Sequence, residues 1–217
     1  MSDRRTHLLE TLRRTRIISV IRTASDESLV PLMDALYRGG VRIIEITATS
    51  PHFEQRIREI REAFADVSDC FVGAGTILTK DEADLAYNAG ADFAVSPVFD
   101  EEVFAHSKAL GMVTMPGCMT PSEAFRAWKS GADVVKAFPG VVCTPQWFSD
   151  LRGPLGMIAM MPTGNVNETT APQYIKAGAI GVGIGKALAS EEQIIGKDWA
   201  AVERQAARYL SLVASHV

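Results

Sequence analysis

Stretches with helical periodicity recur along this chain, each ending at a glycine and followed by a short apolar run. Leu36-Tyr37-Arg38-Gly39-Gly40 leads into 41–47, and Tyr87-Asn88-Ala89-Gly90 leads into 91–97. Further copies pass through Gly111 into 112–115, through Gly131 into 134–138 and through Gly178 into 180–184. A glycine just past a helix takes positive φ without steric cost and turns the chain into the next strand. The apolar runs predict eight strands, at 17–21, 43–47, 71–74, 93–96, 113–116, 134–138, 158–161 and 180–184. Helices are expected at about 26–38, 51–64, 80–89, 100–110, 121–130, 145–151 and 168–177, with a final helical region at about 187–215. Residues 3–14 form an extra leading helix. Strands alternating with helices imply parallel pairing, and eight such units favour a (β/α)8 TIM barrel. A doubly wound open sheet is the alternative. No Pro/Gly/Ser-rich linker interrupts 1–217, so one α/β domain is expected.

The period-2 pattern assigns faces. On the second strand Ile43, Glu45 and Thr47 share one side, and Ile44 and Ile46 the other. The apolar pair suits the helices, so Glu45 and Thr47 point into the barrel. On the sixth strand Val134, Lys136 and Phe138 face inward by the same parity. Lys136 lies within Asp133-Val134-Val135-Lys136-Ala137-Phe138-Pro139, an otherwise apolar run. Burial there disfavours the ammonium and lowers the pKa. A neutral, desolvated amine is the species that attacks a ketone to form a Schiff base. A carboxylate in the same lumen is suited to moving protons for it. The competing readings are an internal ion pair that only fills the barrel, and a lysine that snorkels to the surface.

The exits of the last two strands read Pro162-Thr163-Gly164-Asn165-Val166-Asn167 and Gly181-Val182-Gly183-Ile184-Gly185-Lys186. These positions form the phosphate site in many barrels, where backbone N–H groups and a helix N-terminus face the anion. Gly164, Asn165, Gly183, Ile184, Gly185 and Lys186 are the expected phosphate-binding residues; the plainer reading is that the glycines serve turns and packing. A Walker A loop is excluded by Ile180 and Ala187, and a dinucleotide fingerprint by Lys186. Arg22, just after the first strand, could grip a carboxylate or be a plain surface arginine.

Composition narrows the classes. Hydrophobic residues make up 47% and charged residues 22%, as in an ordinary globular chain. A formal charge of −4 offers no basic field, so no nucleic-acid partner is expected. The N-terminus lacks a signal peptide's apolar segment and no run could span a bilayer, so no membrane role is expected. Cys70, Cys118 and Cys143 are widely spaced and read as free thiols of a cytoplasmic protein. His7, His52, His106 and His216 are far apart and read as surface residues; no metal is inferred. Phe125, Trp128, Trp147 and Phe148 read as core or subunit-contact residues.

In order along the chain stand Ile43-Ile44-Glu45-Ile46-Thr47, Gly73-Ala74-Gly75-Thr76, Ala94-Val95-Ser96-Pro97, Met115-Pro116-Gly117, Val135-Lys136-Ala137-Phe138-Pro139 and Pro162-Thr163-Gly164. With these motifs the chain resembles the class I 2-keto-3-deoxy-6-phosphogluconate (KDPG) and 4-hydroxy-2-oxoglutarate aldolases over nearly its whole length. The resemblance implies a homotrimeric barrel that needs no cofactor, with Lys136 as Schiff-base lysine and Glu45 as proton shuttle. It places Thr76, Pro97 and Thr163 at the pyruvate end, Thr47 and Arg22 among the substrate contacts, and the two glycine loops at the phosphate. Three residues depart from the family's usual pattern: Thr49 where some members carry arginine, Asn165 where a second glycine is usual, and Lys186 at a usually small or hydroxyl position. All three fall at the distal end of the expected pocket. The implied reaction is cleavage of KDPG to pyruvate and glyceraldehyde 3-phosphate. The galactonate epimer and unphosphorylated 4-hydroxy-2-oxoglutarate are alternative substrates, and a sugar-phosphate-binding barrel without catalysis is the non-enzyme alternative.

Overall fold

The computed structural model describes residues 2–25 and 27–214, which leaves His216 and the ends of two predicted helices, Asp26 and 215, outside the described residues. The order is α1 (Ser2–Thr15), β1 (Ile17–Ile21), α2 (Val30–Arg38), β2 (Ile43–Thr47), α3 (Phe53–Ala63), β3 (Phe71–Gly75), α4 (Lys80–Asn88), β4 (Phe93–Val95) and α5 (Glu101–Ala109). There follow β5 (Val113–Met115), β6 (Gly117–Cys118), α6 (Pro121–Lys129), β7 (Val135–Ala137), α7 (Pro145–Leu155), β8 (Met160–Pro162), α8 (Thr170–Lys176), β9 (Val182–Ile184), α9 (Glu191–Ile195) and α10 (Trp199–Ala214). Every glycine that was read as a turn out of a helix has positive φ: Gly40 (95°), Gly90 (89°), Gly111 (90°), Gly131 (88°) and Gly178 (101°). Helix starts are secured by capping boxes at Thr79/Glu82, Thr120/Glu123 and Ser190/Gln193.

All strand pairs are parallel. Six strands form one curled sheet in the order β5-β4-β3-β2-β1-β9, and three form a second, β6-β7-β8. The predicted fifth strand is split because Pro116 has no N–H to give the ladder. Hydrogen bonds still cross both seams. Lys136 N–H donates to the Pro116 carbonyl at 2.9 Å, and Ile180 N–H to the Met160 carbonyl at 3.0 Å. A parallel bridge joins Thr163 to Gly183.

The side chains sort into two apolar layers as the alternation predicts. Ile44, Ile46, Val135 and Ala137 pack outward, among the helices. Ile43, Phe71, Phe93, Val113, Val134 and Met161 pack inward, with Leu8 and Leu12 of α1 among them. Each of these leucines is almost fully buried, which stabilises the fold by roughly 2 kcal/mol apiece. Arg4 grips Asp92 with both branches, at 2.5 and 3.0 Å, and Arg5 pairs with Asp133. Those aspartates also accept the backbone N–H groups of Val72 (3.1 Å) and Thr114 (2.9 Å). Thus α1 lies across the N-terminal ends of the strands and leaves chemistry to the other end.

Several boundaries differ from expectation, among them the start of α2, at Val30 and not at about 26. The last helical region is broken at Lys197, which has φ 54°; Asp198 then accepts the Ala201 N–H at 3.0 Å and starts α10. The expected stop at 151 is overrun by one turn, and Pro154 sits inside α7. Two of the histidines are half-buried and not fully exposed. His7 packs edge-on against Phe71 with ring centres 5.3 Å apart, and half-buried His106 bonds Asp84 at 2.8 Å.

Candidate active site

The inward face turns from apolar to ionisable towards the strand ends. On β2 the order is Ile43, Glu45, Thr47, and parallel pairing sets Val20 beside Glu45, Gly73 on its other flank and Gly75 beside Thr47. Glu45 is 1% exposed and neither carboxylate oxygen has a hydrogen-bond partner in the described structure. A buried carboxylate left in this way is costly unless it takes a proton or meets a charge. Burial accordingly raises its pKa, while Lys136 and Arg22 act in the opposite direction.

Lys136 stands on β7 between Gly117 and Met161 and is 5% exposed. Its Nζ lies 5.0 Å from the centre of the Phe138 ring. Burial lowers its pKa below the usual 10.5; the Glu45 charge opposes that shift and the Arg22 charge adds to it. The three groups feel one another on the inward face of the curled sheets, although they come from β2, β7 and the residue just after β1. A carboxylate that tends to hold its proton thus sits within electrostatic reach of an amine that tends to lose one. That arrangement can add an amine to a carbonyl and shuttle the protons the addition requires.

Space for the carboxylate comes from β3. A Cβ built on Gly75 would stand 1.8 Å from Glu45 Oε1, and one on Gly73 would meet the Phe93 ring at 2.5 Å. Any side chain at Gly75 would drive Glu45 out of its place. This glycine is a site residue that sequence reasoning missed; its signal was a Gly-x-Gly on inward positions of a strand.

The remaining expected site residues differ in fate. Thr163 is 7% exposed, its hydroxyl has no partner among the described residues, and Gly183 lets it approach: a Cβ there would lie 2.5 Å from its Oγ1. Thr76 is half-buried with φ 59°, and Pro97 is half-buried with its carbonyl against Gly117. Arg22 is exposed at the mouth, one residue beyond the Ile21–Ile46 pair. Thr47 is buried, and its hydroxyl is engaged by Thr49 (3.0 Å) and Ser50 (3.3 Å), so it braces the turn. Gly164 (φ 85°) and Asn165 (φ 55°) bend the first loop into a cavity of about 450 Å³ that Gly183, Gly185 and Lys186 also line. Val20, the register partner of Glu45, lines it too, which sets the cavity beside the lumen. Lys186 is exposed and makes no hydrogen bond or ion pair among the described residues. Ile184 requires a correction. Its side chain is fully buried in the outer layer, because β9 parity turns it towards the helices, so only its backbone is available to a ligand.

Among the described residues no group of three or more His, Cys, Asp or Glu side chains could hold a metal ion, and no helix is long and apolar enough to cross a membrane. All three cysteines are free and buried, and burial pushes Cys70 and Cys118 up to about 12.

Comparison with known proteins places this arrangement. The family model for KDPG and KHG aldolase matches residues 8–205. A 2-dehydro-3-deoxy-phosphogluconate aldolase of Treponema pallidum is 36% identical over 169 residues, 77% of this chain and 79% of the relative. A 2-dehydro-3-deoxy-6-phosphogalactonate aldolase of Escherichia coli is 32% identical over 173 residues, 79% of this chain and 83% of the relative. Among solved structures, one described as native KDPGal superposes with a TM-score of 0.82 at 30% identity, covering 92% of this chain and 95% of that one.

Proposed function

The chain belongs to the KDPG and KHG aldolase family, and from that premise we propose that it is a class I aldolase, a carbon–carbon lyase that cleaves KDPG reversibly to pyruvate and glyceraldehyde 3-phosphate. The observation that carries the reading is the buried Lys136 amine facing the unpartnered Glu45 carboxylate in one lumen. Lys136 Nζ attacks the C2 ketone, and Glu45 protonates the carbinolamine hydroxyl so that water leaves. The protonated imine then draws electrons towards C2. Glu45, acting through water, takes the C4 hydroxyl proton, the C3–C4 bond breaks, and its electron pair enters the enamine. The aldehyde departs, C3 of the enamine is reprotonated, and hydrolysis of the imine returns the amine and pyruvate. The imine is itself the electron sink.

Arg22 is assigned to the keto-acid carboxylate, with Thr76, Pro97 and Thr163 around the pyruvate carbons. The loop cavity with its glycine N–H groups and Lys186 is assigned to the phosphate. The hydrogen bonds across both seams support one closed (β/α)8 barrel domain. The half-exposed Phe125 and Trp128 rings on α6, 5.7 Å apart, suit a contact between copies of a homotrimer. The described E. coli galactonate-type relative favours the epimer as the second reading.

Pyruvate release from KDPG, its galactonate epimer and 4-hydroxy-2-oxoglutarate tests the assignment. KDPG should give the highest kcat/KM of the three, and removing its phosphate, read with 2-keto-3-deoxygluconate as a fourth substrate, should cost more than about tenfold, or 1.4 kcal/mol. A smaller loss would refute the phosphate assignment, and no pyruvate from any of the three would refute the lyase reading.

A further inference from the structure

The loop that carries Arg22 is tied down over its next three residues, from three separate parts of the chain. Thr23 is 4% exposed. Its backbone N–H donates to the Ser50 hydroxyl at 3.2 Å, and its own hydroxyl donates to Glu191 Oε1 at 2.9 Å. The same Glu191 oxygen accepts the Ala24 N–H at 3.1 Å, and the Thr23 hydroxyl accepts the Ser25 N–H at 3.1 Å. The Ser25 carbonyl accepts from Arg56 of α3, which is itself buried. Ser50 reaches back to the Thr47 hydroxyl at 3.3 Å, two residues beyond Glu45. The backbone next to Arg22 is therefore hung from the end of β2, from α3 and from the start of α9.

Arg22 makes no hydrogen bond or ion pair of its own among the described residues. Its long side chain gets no fixed orientation from a neighbour, so its place over the lumen is set by the backbone that carries it. Glu191 supplies the longest-range of the ties, from 168 residues away, and its carboxylate takes one hydroxyl and one amide proton. We infer that Glu191, acting through Thr23, is a positioning residue that holds Arg22 over the lumen for the carboxylate of the keto acid. The inference rests on the role assigned to Arg22 above and extends it to a residue that touches no substrate.

Steady-state kinetics on the full chain test it, with Arg22→Ala, Glu191→Ala, Glu191→Gln and the Arg22→Ala/Glu191→Ala pair. Glu191→Ala should raise KM for the keto acid about five- to tenfold with kcat held within about twofold. Glu191→Gln should stay near wild type, because its amide oxygen accepts the same two protons. In the Arg22→Ala background Glu191→Ala should add nothing, since coupled residues are not additive. Thr23→Val keeps the side-chain volume, removes the hydroxyl and should repeat the Glu191→Ala pattern, a check that does not depend on how that variant folds. Equal effects of Glu191→Ala with and without Arg22, or a fall in Tm without a rise in KM, would overturn the inference. If Arg22→Ala raises KM and Glu191→Ala does not, the positioning role alone fails. If Arg22→Ala leaves KM unchanged, the Arg22 assignment fails and the inference with it.

Discussion

Lys136→Met is expected to abolish turnover while leaving the chain folded. The substitution removes the only atom proposed to bond the substrate, so kcat should fall at least about 10⁴-fold. Methionine is close to lysine in volume and apolar, and it suits a position that is 5% exposed beneath the Phe138 ring. The change should also alter how stability depends on pH. Burial holds Lys136 below its ordinary 10.5. Between that lowered value and 10.5 the unfolded chain binds more protons than the folded one, so wild-type stability gains with rising pH. The variant lacks this contribution. It also loses the cation that opposes the raised pKa of Glu45. Glu45 therefore titrates still higher in the folded variant, and folding there weakens as pH rises past 4.5. Both effects have the same sign: Tm of the wild type should improve relative to the variant as pH increases. Parallel Tm curves would mean that Lys136 is not held in the buried, proton-losing state described.

Glu45→Gln should be the second most damaging change. The amide matches the carboxylate in shape, so the Gly75 space is still filled, but no group remains to exchange protons at the carbinolamine. A drop in kcat of about 10²–10⁴-fold is the usual size of such a loss. The pH profile supplies an independent signature. The Glu45 charge holds the proton on Lys136, so in the variant Lys136 loses its proton more readily and the rising limb of kcat/KM moves to lower pH. A variant within about tenfold of wild type, or with its limb moved upward, would show that another group carries the protons.

The strands and their faces were legible because two local signals agree. Glycine with positive φ ends the helices, and the period-2 alternation divides Ile44 and Ile46 from Ile43 and Glu45. The same local reading placed Lys136 and Glu45 in one lumen, although 91 positions separate them in the sequence. Parity alone could also have turned Ile184 away from the phosphate loop; the run of glycines around it drew attention to the motif instead. What was not legible depends on register between distant strands. Gly75 matters because β2 and β3 pair so that its missing side chain leaves room for Glu45, a fact about pairing and not about either segment. The tie between Thr23 and Glu191 spans 168 residues and carries no periodic signal. Thr47 was expected among the substrate contacts, but the turn after β2 brings Thr49 and Ser50 back onto its hydroxyl.

The proposed reaction depends on a covalent imine between Lys136 and the keto acid. Incubation with pyruvate and borohydride, followed by peptide mass analysis, tests it most directly. One reduced pyruvyl group should be added to the peptide containing Lys136, and none in Lys136→Met. An unmodified Lys136 in enzyme that is turning over substrate, or an adduct on another lysine such as Lys186, would contradict it.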